Sequence, residues 1–184
     1  EMLPEMKANG VPPAWTSYIS HSDIDAVAAR AAEAGGTVFF EPMDVMEYGR
    51  MAILGDPTGA SFGLWQPKAH IGAQVVNQPN SFVWNELQTN DPAAARAFYS
   101  KVFGWDERMD PSGYLMWADG KHVLCGCMTI DASWGDVPPN WLVYFLVDDV
   151  DAMAARVIEL GGVVHHGPSD AGEMGRLAVV GDPQ

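Results

Sequence analysis

Positive charge is scarce in this 184-residue chain: ten Lys and Arg stand against 24 Asp and Glu, a formal net charge of −14. Nucleic acids are held through their phosphates by clustered Lys and Arg, so this balance argues against a nucleic-acid partner. Cysteine is nearly absent, with only Cys125 and Cys127. They lie two apart in the strand-like stretch HVLCGCM, so they share a face, and a disulfide between them would require unusual backbone bending. The expectation is a pair of buried thiols in a reduced, cytoplasmic protein. A zinc site would need two more ligands, and none is obvious nearby. No run of about eighteen apolar residues exists, so no membrane span is expected. No long single-sign block or low-complexity tract stands out either. With 48% hydrophobic residues the chain can still bury a real core, as one or two domains.

What the chain does have is an internal repeat. Residues 12–57 and 138–183 align without a gap at an offset of 126, and about half the positions are identical. Trp15 meets Trp141, Tyr18 meets Tyr144, Gly35-Gly36 meet Gly161-Gly162, and Gly49-Arg50 meet Gly175-Arg176. A period about one domain long reads as tandem copies of a domain rather than a solenoid. Residues 80–137 precede the second copy, while eleven residues precede the first; the first copy runs on into TGASFGLWQP, and the second stops at Gln184. The expectation is a partial view of a longer protein. Residues 1–66 would be the second half of a first domain, 67–79 a connector, and 80–184 a second domain without its last strand.

Each segment carries the same pattern of one strand, one helix and three short strands. In the first, WTSYIS is strand-like, Ser22 or Asp23 caps a helix with Ile24, Val27, Ala28 and Ala31 on one face, and Gly35 ends it. Strands are expected at about 37–40, 50–54 and 60–65. In the second, SFVWNELQ leads to an Asn90 or Asp91 cap, with Pro92 at the first helical position and an apolar face of Ala94, Ala95, Phe98 and Val102, closed by Gly104. Strands follow at about 105–109, 113–118 and 122–129. The third has WLVYFLV, a helix from Val150 to about Leu160, and strands near 163–166 and 176–180.

These βαβββ units, used in pairs with an Asp-Pro-x-Gly turn before the last strand, resemble the vicinal oxygen chelate superfamily of glyoxalases, bleomycin-resistance proteins and extradiol dioxygenases. The likeness rests on DPAAARAFYSKVFGW (91–105), DDVDAMAARVIELGG (149–162, with Asp148 before it) and Gly55-Asp56-Pro57-Thr58-Gly59. It is close to the tandem-domain glyoxalase-like proteins of actinobacteria, which share a connector like Trp65 to Ala73. The resemblance implies an α+β fold in which paired βαβββ units curl their sheets into cups. It also implies metal ligands on the first strand of each unit, seven residues before the helix-opening Asp, and on a later strand four residues after the turn glycine. Those positions are held by Trp84, Leu142 and Thr16, and by Gly63. None of these is a usual ligand, and a divalent catalytic metal needs about three N or O donors in fixed geometry. No catalytic metal or other cofactor is therefore expected. His21, His70, His122, His165 and His166 are scattered and are expected to be solvated or core histidines.

By alternation Trp84, Glu86 and Gln88 share one strand face, and Leu142, Tyr144 and Leu146 the equivalent face. Apolar walls with a few convergent polar groups describe a small-molecule pocket, so these six are the candidate ligand-binding residues. Glu86 is the only catalytic candidate, as a general base. It could equally anchor a ligand amine, or form a structural ion pair with Arg176. Tyr144, like Tyr18 in the first copy, could donate to a ligand carbonyl, or simply pack. In the first domain the same face reads Thr16, Tyr18 and Ser20, more polar, so the two domains are not expected to bind the same molecule. Glu47 and Glu173 match across the repeat, as do Arg50 and Arg176; a solvated loop and weak ion pairs are expected there. Met43, Met46 and Met51 read as gap-filling hydrophobes.

Three functions are weighed. The first is a metal-free protein binding a small, partly apolar molecule. The second is a metal-dependent lyase or dioxygenase of the glyoxalase type, which the resemblance favours and Trp84, Leu142 and Gly63 oppose. The third is a structural tandem whose cup is filled by side chains. A small molecule is the expected partner. The cup of residues 80–184 is expected within one chain, with a homodimer left open.

Overall fold

The computed structural model describes residues 13–184; residues 1–12, with which the expected first domain opens, lie outside the described residues. The fold is α+β. The first segment contributes β1 (Tyr18–Ser20), α1 (Ile24–Glu33), β2 (Thr37–Val45), β3 (Gly49–Gly55) and β4 (Ser61–Pro67). The second contributes β5 (Ser81–Thr89), α2 (Pro92–Phe103), β6 (Asp106–Met109), β7 (Leu115–Asp119) and β8 (His122–Thr129). The third contributes β9 (Asn140–Leu146), α3 (Val150–Glu159), β10 (Val163–Asp170) and β11 (Arg176–Gly181).

The helix starts follow the expected chemistry. Asp23, Asp91 and Asp149 each accept a hydrogen bond from the backbone N–H three residues on, at 3.0, 2.9 and 2.9 Å. This satisfies one of the donors that a helix leaves orphaned at its start. The repeated Gly-Gly pair has two separate reasons. Gly35 and Gly161 take φ of +90° and +87°, where a side chain is strained. Gly36 and Gly162 are instead pressed against backbone: a Cβ there would stand 2.8 Å from the Gly55 carbonyl and 2.6 Å from the Gly181 carbonyl.

In the first two segments the first strand pairs parallel to a later one, whereas β9 of the third joins β5 in the five-stranded sheet. Tyr18 lies opposite Gly63 in the four-stranded sheet β1-β4-β3-β2. Glu86 lies opposite Gly126 in the five-stranded sheet β6-β7-β8-β5-β9. The third segment forms a two-stranded antiparallel sheet, β10-β11. The chain divides into two compact units, one of Trp15–Val76 with Val83–Tyr144, the other built around Asn77–Phe82 and Phe145–Gln184.

The larger unit holds the core. The buried faces of α1 (Ile24, Val27, Ala31) and α2 (Ala95, Phe98, Tyr99, Val102) cluster with Leu54, Phe62 and Leu64 of the first sheet and Leu87, Trp117, Cys125 and Cys127 of the second. The thiols are free and buried in this cluster, and burial pushes Cys127 up to about 12. Tyr99 is the hub. Its ring centroid lies 5.1 Å from that of Trp117 and 5.5 Å from that of Trp141. Its hydroxyl donates to Asp56 Oδ2 at 3.0 Å and accepts from Trp141 Nε1 at 2.9 Å. Asp56, also buried, takes four further bonds on Oδ1, from the Thr58 hydroxyl and the N–H groups of Thr58, Gly59 and Ala60. A fully satisfied buried network of this kind fixes one arrangement of the elements it joins.

The methionine expectation is corrected for Met43 and Met46. Met46 is 74% exposed, at φ +46° in the turn between β2 and β3, and Met43 is 52% exposed opposite Met51. The register of β2 shifts just before Met43.

Candidate functional site

Strand alternation places the site. On β5, Leu87 and Thr89 are buried toward the helix side, so Trp84, Glu86 and Gln88 project from the opposite face. On β9, Trp141 packs against Tyr99, which sends Leu142 and Tyr144 to that same opposite face. Glu86 is the centre of what gathers there. It is only 4% exposed. Tyr114 donates to its Oε2 at 2.7 Å, Tyr144 to its Oε1 at 3.1 Å, and Gln88 Nε2 reaches Oε1 at 3.4 Å. Trp84 Nε1 donates in turn to the Tyr114 hydroxyl at 3.2 Å, and Asn140 Nδ2 to Gln88 Oε1 at 3.4 Å. Among the described residues no salt bridge reaches Glu86, so the carboxylate is held by neutral donors alone.

Of the six expected site residues, the structure brings together Trp84, Glu86, Gln88 and Tyr144. Leu142 is half-buried on the same strand face, and Leu146 is exposed and falls in the other compact unit. The ion pair of Glu86 with Arg176 is corrected. Arg176 gives its guanidinium to Asp151 (2.6 and 2.9 Å) and Asp170 (3.0 Å). The repeat keeps this arrangement, since Arg50 pairs with Asp25 and Asp44 at the matching positions. Tyr144 directs its one hydroxyl proton to Glu86.

Three members were missed from the sequence. Tyr114 precedes β7, where Leu115 and Trp117 are buried, and that alternation already set it on the face of Glu86. Gly126 makes room for it: a Cβ there would stand 1.7 Å from the Tyr114 hydroxyl. Asn140 had no distinguishing signal. Burial, then the charge of Glu86, raises both Tyr114 and Tyr144 above the usual tyrosine range, so both stay neutral at ordinary pH. Tyr114 also lines an open depression of about 480 Å³, but Pro92 and Arg96 of α2 and the buried Leu115 and Cys127 among its walls put it on the helix side of the sheet, opposite the face of Glu86. Glu86 itself lines neither this depression nor the shallow one beside α1.

Residues 78–184 match the model of the glyoxalase/bleomycin resistance protein/dioxygenase superfamily. The chain belongs to this superfamily. It is 41% identical over 186 residues to a protein of Mycobacterium tuberculosis designated glyoxylase CFP32, covering 99% of this chain and 70% of that one. It is 39% identical over 178 residues to the anthracycline biosynthesis protein DnrV of Streptomyces peucetius, covering 95% of this chain and 64% of that protein. The Mn(II)-bound glyoxalase of Novosphingobium aromaticivorans shares the fold, with a TM-score of 0.55 at 17% identity over 83% of this chain and 54% of its own.

The metal that glyoxalase-type members hold can be tested against the donors present. The two first-strand positions carry Trp84 and Leu142. The later-strand position is Gly63 opposite Tyr18, and its counterpart opposite Glu86 is Gly126. Each glycine is covered by a tyrosine ring, Tyr18 or Tyr114, in the space a ligating side chain would fill. Among the described residues no three His, Cys, Asp or Glu group so as to hold an ion. The residues at these positions do not fit a divalent metal, and Glu86 alone cannot supply the donor set.

Proposed function

We propose that this protein binds a small, partly apolar molecule on the face of the five-stranded sheet that carries Glu86, without a catalytic metal. The observation that carries the reading is the exchange at the ligand positions. Where metal donors would stand there are Trp84, Leu142, Gly63 and Gly126, and the polar groups converge instead on one buried carboxylate. A few oriented polar groups beside apolar side chains are what small-molecule sites are made of. The reading includes a cytoplasmic location, supported by two free, buried thiols; no described helix is long and apolar enough to cross a membrane.

A protein-observed NMR screen of a chemically diverse fragment set tests it. The expected result is binders whose shifts cluster on the Trp84 indole N–H and the Gln88 and Asn140 side-chain amides. Binders that perturb only other surfaces would count against this face. An enzymatic reading, a metal-dependent lyase or dioxygenase, is favoured by the name of the mycobacterial relative. Metal-dependent turnover of methylglyoxal–glutathione adducts or of catechols would put it in front.

A further inference from the structure

We propose, resting on that binding reading, that the ligand carries a protonated amine beside an apolar body, and that the amine docks on the Tyr114–Glu86–Tyr144 cluster. Hydrogen-bond bookkeeping carries the argument. A tyrosine hydroxyl has one proton to donate. Tyr114 has given its proton to Glu86 Oε2, and Tyr144 has given its own to Oε1. Both hydroxyls therefore offer outward only lone pairs, and Tyr114 already accepts from Trp84. The cluster can accept from a ligand but cannot donate to one. A carbonyl or carboxylate on the ligand would meet oxygens with nothing to give, whereas an ammonium brings three donors.

Charge points the same way. Glu86 is buried, held by neutral donors, and free of any salt bridge among the described residues. A buried charge without a counter-charge is costly, and a ligand cation brought close to it recovers part of that cost. An apolar body has partners on the same face: Trp84 and Leu142 stand half-buried on β5 and β9 beside the cluster.

Matched ligands separate this inference from the reading beneath it. Naphthyl and anthracenyl series, each with a methylamine, its N-acetyl amide and the corresponding carboxylate, are titrated by calorimetry at pH 7 into wild type, Glu86→Gln and Tyr144→Phe. The expected result is an amine at least tenfold tighter than its amide, with the carboxylate weakest. That preference should be lost in Glu86→Gln and kept in Tyr144→Phe, which retains the charge. If Glu86→Gln does not fold, the wild type and Tyr144→Phe still decide. Amides or carboxylates binding as tightly as the amines would overturn the inference and leave a neutral-ligand site standing. An amine preference unchanged in Glu86→Gln would overturn it too. No binding by any member of either series at millimolar concentration would overturn both the inference and the binding reading.

Discussion

The same structural position is filled in two ways within one compact unit. In the four-stranded sheet Tyr18 lies opposite Gly63, is 45% exposed, and covers the glycine with its ring, edge-on to Trp65 at 6.4 Å. In the five-stranded sheet Glu86 lies opposite Gly126, is 4% exposed, and is bonded by two tyrosines and a glutamine. Backbone and register are alike; one residue differs, and the neighbourhood differs with it. A carboxylate at this position has to gather donors to be buried, and the donors it gathers become a polar site. A tyrosine there can simply pack. The comparison locates the difference between the two sheets in one side chain and its partners, on a scaffold that the two segments share.

The largest effect tests the scaffold itself. Replacing Asp56 by Ala takes the acceptor from the Tyr99 hydroxyl and from the N–H groups of Thr58 and Ala60, while Gly59 keeps the Asp56 carbonyl, and should cost on the order of 3 kcal/mol in urea unfolding. A cost under about 1 kcal/mol would mean that the network does not hold the segments together. Next come the two glycines. Gly126→Ala drives a Cβ into a tyrosine tied to Glu86 and Trp84, and should cost about 1–3 kcal/mol. Gly63→Ala meets the half-exposed Tyr18, which can swing aside, so its cost should be smaller. Equal costs would erase the contrast between the sheets.

Hydroxyl removal sharpens the contrast. Tyr114→Phe takes a donor from a buried carboxylate and should destabilise by about 1–3 kcal/mol, while Tyr18→Phe should stay within about 0.5 kcal/mol. The alkaline limb of stability reports the same cluster. Tyr114 and Tyr144 have raised folded values, so their contribution is fully present below the ordinary tyrosine value of about 10 and declines as pH rises through the folded values. Unfolding midpoints should therefore fall above about pH 10, and less so in the Tyr114→Phe/Tyr144→Phe double variant.

The smallest effect concerns the repeated ion pairs. The Arg50 and Arg176 guanidinium groups hold Asp25 and Asp151 below the usual carboxylate range. Depressed values stabilise above the unfolded value of about 3.9 and lose that contribution as pH falls through the folded one. Asp25→Asn and Asp151→Asn should each flatten the acid limb slightly and leave the midpoint at pH 7 nearly unmoved, because the pairs are solvent-exposed.

Local chemistry was legible along most of the chain. Asp-capped helix starts, the Gly-Gly exits and the alternation of β5 and β9 read directly from residue type and spacing, because each is decided within a few residues. The meeting of Trp84, Glu86, Gln88 and Tyr144 followed from that alternation together with the repeat. What was not legible depends on register between distant strands. Tyr114 reaches Glu86 only because Gly126 pairs beside it, and Met43 lies exposed on a strand whose register shifts just before it. Arg176 finds Asp151 across a helix and a strand, a pairing that the matching Asp25 and Arg50 of the repeat could have revealed.

The central proposal is that the Glu86 face of the five-stranded sheet carries a carboxylate–tyrosine cluster in place of metal ligation. The most direct measurement is metal content per chain, on protein purified without chelator or affinity-tag metal and then incubated with zinc, nickel, manganese and ferrous iron. The account predicts near-zero occupancy for all four. One tightly held ion per chain, lost on replacing Glu86, would contradict it.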